Sequence, residues 1–475
     1  MSTSGSSGTP SAAGSNHAHV DSPLPPRILV VGGGYVGMYT ALRLGQRLQR
    51  DEARVTVVDP RSYMTYQPFL PEAGAGSIQP RHTVVPLRQT LRDAEIITGS
   101  IVKVDHAHKI AVVQPLEGAA YDLPYDTLVM AVGSVPRTLP IPGLADWAMG
   151  FKNVEEAIAL RNRVLECLDI AESATDPEIR ERNLTFVFVG GGYAGTEALA
   201  ETEDLARYAT RYLRNVTPAD LRFVMVEASS RILPEVGEDM GRWTVEQLRE
   251  RGIDIKLETR LESTVNGEVV LSDGTTLLSD TVVWTAGVKP HPLLEATDLP
   301  LDERGRLVCR TDLQVEGVAD AWGAGDCTAV PDLTNPGTFC SPSAQHAVRQ
   351  AKVLADNIVA SMRGFATRDY KHHHNGSVAS LGLYKGVAQV YGIKIKGFPA
   401  WFLHRTYHMS KVPTTRRKVQ VVTDWTIAFL FQRDVTSLWS MHDPRMAFSE
   451  VARASDAATI AEAEGRQAQG RESQG

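Results

Sequence analysis

Gly32-Gly33-Gly34-Tyr35-Val36-Gly37 stands directly after the apolar run Arg27 to Val31 and opens a stretch of helical spacing. The pattern returns as Gly190-Gly191-Gly192-Tyr193-Ala194-Gly195, again after an apolar run, Leu184 to Val189. A dinucleotide-binding turn needs one glycine to turn tightly, a second to admit the pyrophosphate to the backbone, and a third to let helix and strand pack closely. The helix that follows offers free N–H groups and the positive end of its dipole to the phosphates. Both copies meet these demands, so the chain is expected to be an α/β protein built around two Rossmann-like units.

Each unit also needs an acid at the end of its next strand to accept hydrogen bonds from ribose hydroxyls. Arg54 to Val58 runs into Asp59, and Leu221 to Val226 runs into Glu227. The alternative for each is a solvated strand-end carboxylate. The second gap exceeds the usual ~20 residues, and Arg207 to Asp220 is expected to be a polar surface insertion. A carboxylate at Glu227 would repel a 2'-phosphate, which favours NADH over NADPH. Each unit ends alike, on Ala131-Val132-Gly133 after an apolar run from Asp126, and on Thr285-Ala286-Gly287 after one from Thr281. Between them lie Pro136, Pro140 and Pro142, a linker signal, and a helical pattern from Asn153 to Ser173. Ala319 to Asp326 reads as a short strand that delivers an aspartate to the ligand crevice.

A net charge of -7 over 475 residues argues against a nucleic-acid binder, and Cys167, Cys309, Cys327 and Cys340 form no C-x-x-C pair. A reducing, cytosolic setting fits this cysteine usage. The first 26 residues have neither the basic nor the apolar region of a secretory signal. No stretch approaches the ~18 apolar residues of a membrane span. His372-His373-His374 cannot converge on one ion from a regular element, so no metal is expected.

From Arg27 to Gly364 the pattern resembles the two-dinucleotide-binding flavoproteins that include glutathione reductase. The resemblance implies FAD in the first unit, NAD(P)H in a second unit inserted into it, and a return through Thr311 to Asp326, with Asp326 on the flavin's ribityl chain. It brings Gly32, Gly34, Tyr35, Val36, Gly37, Asp59, Val102 and Gly133 to the FAD, and Gly190, Gly192, Gly195, Glu227 and Gly287 to the NADH. The implied organisation is a lead over 1–26, an FAD domain over 27–150 and 287–365, an NADH domain over 151–286, a C-terminal region over 366–450 and a tail over 451–475.

Disulfide reductases of that group carry a redox C-x4-C after the first unit, but the span from Asp59 to Pro80 holds no cysteine. It reads instead Tyr66-Gln67-Pro68-Phe69-Leu70-Pro71-Glu72-Ala73-Gly74-Ala75-Gly76, which resembles a segment of the type II NADH:quinone oxidoreductases. Tyr193-Ala194-Gly195-Thr196-Glu197, Arg231-Ile232-Leu233-Pro234 and Ala344-Gln345-His346-Ala347-Val348-Arg349-Gln350 resemble that family too. The last implies that Ala344 and Gln345 lie against the flavin ring and the quinone pocket, with Arg349 a departure from the common Gln.

Between Tyr391 and Ser440, Lys394, Lys396, Arg405, Lys411, Arg416, Arg417, Lys418 and Arg433 face only Asp424 and Asp434, among Trp401, Trp425, Trp439, Phe398, Phe402, Phe429 and Phe431. Basic and aromatic residues together suit the surface of an anionic bilayer. The alternative is the core of a third domain or a dimer contact. The resemblance implies membrane anchoring, with Ala400-Trp401 and Tyr407-His408-Met409 at matching positions.

The expected function is non-pumping transfer of a hydride from NADH to FAD, then of two electrons to a membrane quinone, at the cytoplasmic face of the plasma membrane. Quinol formation needs protons, and Glu197 near the flavin is the expected donor, its pKa raised by burial. The alternative for Glu197 is a carboxylate that complements the helix N-terminus. Competing readings are a sulfide:quinone oxidoreductase using Cys167 and Cys340, a ferredoxin or rubredoxin reductase, and a flavin-bound signalling protein resembling apoptosis-inducing factor.

Overall fold

A computed structural model describes residues 24–372 and 376–437. The tail, most of the lead, Trp439, His373 and His374 lie outside the described residues. The strand Arg27–Val31 sits inside a seven-stranded sheet in the order Ala321–Gly323, Thr127–Met130, Arg27–Val31, Arg54–Asp59, Ala94–Asp105, Ile110–Pro115, Tyr121–Pro124. The first five are parallel and the last two pair antiparallel. The second sheet is wholly parallel, in the order Ala148–Gly150, Thr281–Trp284, Thr185–Val189, Arg222–Val226, Asp254–Lys256. The central strands are buried throughout and apolar after a leading threonine, because both faces are covered, which is what a parallel sheet requires.

Ala321–Gly323 returns to the first sheet beside Thr127–Met130, so the second sheet is an insertion. The chain crosses between the sheets twice, on Ser134–Pro136 and Val288–Pro290, and these crossings pair antiparallel. The boundary expected at 150 needs correction. Ala148–Gly150 already belongs to the second sheet, and Leu144 is in that sheet's apolar core. The change of domain follows the crossing strand, where the proline linker begins.

The helix Val154–Ser173 starts where expected because Asn153 and Glu156 form a reciprocal capping box. The expected insertion from Arg207 to Asp220 is partly helix. Tyr193–Ala209 runs for 17 residues, and a run of buried alanines and leucines carries it past the usual length before the loop begins.

The C-terminal region is a three-stranded antiparallel sheet, Gly376–Ser380, Gly386–Val390 and Ile393–Lys396, followed by helices Phe398–Lys411 and Thr415–Phe431. Val412 and Val421 join the first domain's core, while Ala379, Leu381 and Val387 join the second's. The region therefore straddles both domains. Among the described residues no helix is long and apolar enough to cross a membrane.

Candidate active site

The two glycine turns superpose in their bonding, residue for residue. Gly32 N–H donates to Val58 O at 2.8 Å and Gly190 N–H to Val226 O at 2.9 Å, which ties each turn to its neighbouring strand. Gly33 N–H donates to Asp59 Oδ2 at 2.6 Å, and Gly191 N–H to Glu227 Oε2 at 2.5 Å. The other oxygen of each acid accepts an N–H two residues on, from Arg61 and from Ser229, both at 2.7 Å. Both acids are thus held by backbone donors at the lip of a glycine turn. Burial raises the pKa of Asp59, and those N–H bonds oppose the rise.

The glycines are required by space. Gly32 and Gly190 have φ of +102° and +112°, in the region that favours glycine. A Cβ at Gly37 would lie 1.7 Å from Gly32 O, and one at Gly195 would lie 1.9 Å from Gly190 O. A Cβ at Gly34 or Gly192 would meet nothing within 4 Å, and neither helix N-terminus has a side-chain cap. Each helix therefore presents uncapped donors to open space, which fits a pyrophosphate.

Around the first turn, Asp326 Oδ2 accepts from Ser134 Oγ at 2.8 Å, and Lys152 Nζ donates to Ser134 O at 2.5 Å and Oγ at 2.7 Å. Gly325 N–H donates to Gln350 Oε1 at 2.7 Å, and a Cβ there would reach Val36 Cγ2 at 2.7 Å. The aspartate turn, Val36 and the helix Ala344–Met362 are thereby brought together. Ala344 and Gln345 open that helix, and Gln345 Nε2 donates to Gly376 O at 3.2 Å on the first C-terminal strand. Gly133 and Gly287, at φ of +67° and +88°, end the strands beside Gly32 and Gly190. Val102 does not join them. It is 46% exposed at the β-bulge where Ala94–Asp105, its pairing with Arg54–Asp59 ended at Thr98, runs on against Ile110–Pro115.

Glu197 lies at the centre of a buried polar cluster that sequence reasoning found only in part. On the Tyr193 helix Glu197 and Glu201 share a face one turn apart, 6% and 0% exposed. On the Phe398 helix His404, Arg405 and His408 share the facing stripe. Glu197 Oε1 accepts from Ser380 N–H at 2.8 Å and lies 3.1 Å from His404 Nε2. Burial pushes the Glu197 pKa up to about 8 and that of His404 down to about 4. Burial favours the neutral form of each, and the two meet at that 3.1 Å contact. Arg433 Nη2 lies 3.3 Å from Glu201 Oε2, and Arg405 Nη2 3.0 Å from Glu72 Oε2. Glu72 also accepts from Trp425 Nε1 at 2.6 Å, and the Arg405 guanidinium lies 4.3 Å and 5.0 Å from the rings of Trp401 and Trp425. Phe69 meets Trp425 edge-on at 5.7 Å, and Tyr66 O–H donates to His408 O at 3.1 Å. The segment Tyr66 to Gly76 is thus the seat of the C-terminal helices.

This changes the expectation for the basic, aromatic window. Arg405 and Arg433 are buried against carboxylates, Trp401 is buried and Trp425 half-buried. The exposed members include Phe398, Phe402, Phe429 and Phe431, joined by Val419, Val422, Ile427 and Leu430, which the window did not single out, and the basic residues Lys394, Lys396, Lys411 and Arg416. The missed signal is a charged residue recurring on the buried stripe of a helix. Lys385 is an exposed turn lysine. Among the described residues no cluster could hold a metal ion. The four cysteines are buried and unpaired, and burial pushes the thiols of Cys167 and Cys340 up to about 11. They belong to different cores, which speaks against joint use of Cys167 and Cys340.

The family described as pyridine nucleotide-disulphide oxidoreductase matches residues 26–351, and the NDH2 C-terminal domain matches residues 374–434. The chain is 28% identical to the type II NADH:quinone oxidoreductase Ndh of Mycobacterium tuberculosis, over 86% of this chain and 89% of that one. It is 30% identical to the type II NADH:quinone oxidoreductase of Staphylococcus epidermidis, over 80% and 93%. Its fold is similar to that of NDH2 from Plasmodium falciparum, solved in complex with NADH, with a TM-score of 0.80 at 17% identity over 86% and 99% of the two chains.

Proposed function

The chain belongs to the pyridine nucleotide-disulphide oxidoreductases and, among them, to the type II NADH:quinone oxidoreductases, and from that premise we propose how its residues carry two electrons from NADH through FAD to a membrane quinone. Bound FAD supplies the centre that takes a hydride and releases electrons; the protein supplies binding, orientation and charge. Gly32, Gly34 and Gly37 with the N-terminus of the Tyr35 helix would hold its pyrophosphate, Asp59 its ribose, and Asp326, steadied by Ser134 and Lys152, its ribityl chain. Gly190, Gly192 and Gly195 would hold NADH, with Glu227 on its ribose and set against a 2'-phosphate. Gly133 and Gly287 keep the floors of the two cradles free of side chains.

Gln345 would line the quinone pocket from the first turn of its helix. Glu197, protonated at neutral pH, would give a proton to the quinone as the electron pair arrives. The exposed aromatic residues of the two C-terminal helices would rest in the bilayer surface, with Arg416 and Lys411 at headgroup depth. This makes the enzyme peripheral, on the cytoplasmic face where NADH is found.

The observation that carries the reading is the pair of uncapped glycine turns, each with its carboxylate, in a chain with no redox cysteine pair in Asp59 to Pro80. The test is steady-state oxidation of NADH and NADPH by purified holoprotein with menaquinone and ubiquinone analogues. Rapid NADH oxidation with quinone as acceptor is expected. A protein that takes up no flavin, or reduces no quinone, would refute it.

A further inference from the structure

Glu197 and His404 sit among charges that are already matched. On the elements packed around them, Glu72 pairs with Arg405 and Glu201 with Arg433, while Glu203 and Asp204 face Arg207 and Arg251. His408, whose ring lies 4.6 Å from that of His404, is held neutral by burial. Burial pushes the Glu72 carboxyl up to about 7 despite Arg405, and drives both Glu197 and His404 towards their neutral forms, in which the pair holds one labile proton on the carboxyl. A net charge on the pair would go unmatched in a buried site.

The far side of the imidazole supplies the second observation. His404 Nε2 faces Glu197 Oε1, and its Nδ1 is buried with no hydrogen-bond partner. Glu72 Oε1, Trp401 Nε1, Arg405 Nε and Arg433 Nη1 are also buried and unpartnered, on the elements that meet at this point. Buried polar atoms are almost always satisfied, by ordered water where protein does not reach them. His404 Nδ1 is thus a buried polar atom that no protein group satisfies, the kind of atom that ordered water commonly serves.

We propose that His404 reloads Glu197, relaying protons taken up at its unpartnered Nδ1 to the carboxyl group after each quinone reduction. The inference rests on the reading of Glu197 as proton donor. The Glu197 O–H breaks as an O–H forms on the quinone, whose electron pair comes from NADH. A proton from bulk solvent, handed on through water, reaches His404 Nδ1 as Nε2–H passes to Glu197 Oε1, so the imidazole stays neutral and no hydroxide is left behind. Exchange between the two ring tautomers resets the imidazole. His404 touches no substrate and acts through Glu197.

The test uses the full-length holoenzyme and His404→Gln, whose amide can still donate to Glu197 from the Nε2 position but cannot relay. The carbonyl band of protonated Glu197 is assigned in the infrared by its loss in Glu197→Gln, and its shift on transfer to D2O is followed in time. Deuterium uptake at Glu197 is expected to slow at least about tenfold in His404→Gln, and steady-state quinone reduction to slow similarly, while the first turnover of preloaded enzyme keeps its rate. His404→Asn serves as a second variant with the same expectation. Uptake at the wild-type rate in both variants would overturn the proposal. If instead Glu197→Gln reduced quinone as fast as wild type, the donor reading of Glu197 would fall, while the exchange measurement would still decide whether His404 feeds it.

Discussion

Replacing Glu197 by Gln should flatten one limb of the protein's stability against pH. In the folded chain the Glu197 carboxyl titrates at about 8, against 4.5 when exposed, because burial disfavours its charge. Between those values the folded state keeps a proton that the unfolded state has released. Stability therefore falls as pH rises from 4.5 to 8, and is level outside that window on this group's account. The shift corresponds to about 5 kcal/mol. Gln keeps the shape of the protonated acid, the Ser380 hydrogen bond to its oxygen and the close approach of His404, but has nothing to titrate. Wild type and Glu197→Gln should thus be matched near pH 4.5, with the variant about 5 kcal/mol more stable at pH 9, or roughly 5 °C in melting temperature for a chain of this size. Differential scanning calorimetry across the pH range measures the gap. Groups that titrate alike in both proteins, Glu72 among them, cancel in the difference. Melting curves that run parallel from pH 4.5 to 9 would refute the assignment of a buried, protonated Glu197.

The glycine turns should separate the two nucleotides. Gly37→Ala is expected to yield a colourless protein, and Gly195→Ala one that keeps its flavin absorbance but is not bleached by NADH under anaerobic titration. Arg405→Met strands Glu72 without its partner and should lower stability by about 3 kcal/mol; adding Glu72→Gln should restore most of that loss in the same thermal assay. Phe429→Ser with Phe431→Ser, both fully outside the core, should weaken co-sedimentation with anionic vesicles by about tenfold or more, since each ring contributes about 2 kcal/mol when buried, and should leave oxidation of NADH by a water-soluble quinone analogue unchanged.

Features set by local rules were legible in the sequence. Arg27–Val31, Arg54–Asp59 and the Val154–Ser173 helix are found within a residue of expectation, because apolar runs, glycine turns and an Asn-Glu capping box leave little choice. Asp59, Glu227 and Glu197 could be named because each lies at a fixed offset from a glycine turn. The partners of Glu197 could not. Glu72, Glu201, His404, Arg405 and Arg433 come from four separate stretches, and only packing reveals that charges which count as solvated in a composition window neutralise one another inside. Lys152 escaped notice for the same reason, since its partner Ser134 lies across the junction between domains. The boundary at 150 was misplaced because a three-residue strand is too short for any period to register.

Two short crossing strands, taken alone, would form a hinge on which the inserted domain could swing. The C-terminal region removes that freedom, because its apolar residues are shared between both cores, Val412 and Val421 with the first and Ala379, Leu381 and Val387 with the second, and its buried arginines grip Glu72 and Glu201. The distance between the two nucleotide cradles is consequently built in at folding, and catalysis need not wait for a closing motion. Turnover should then be governed by how quickly small molecules enter and leave a rigid frame, and cross-linking the two halves in place ought to cost the enzyme little of its speed.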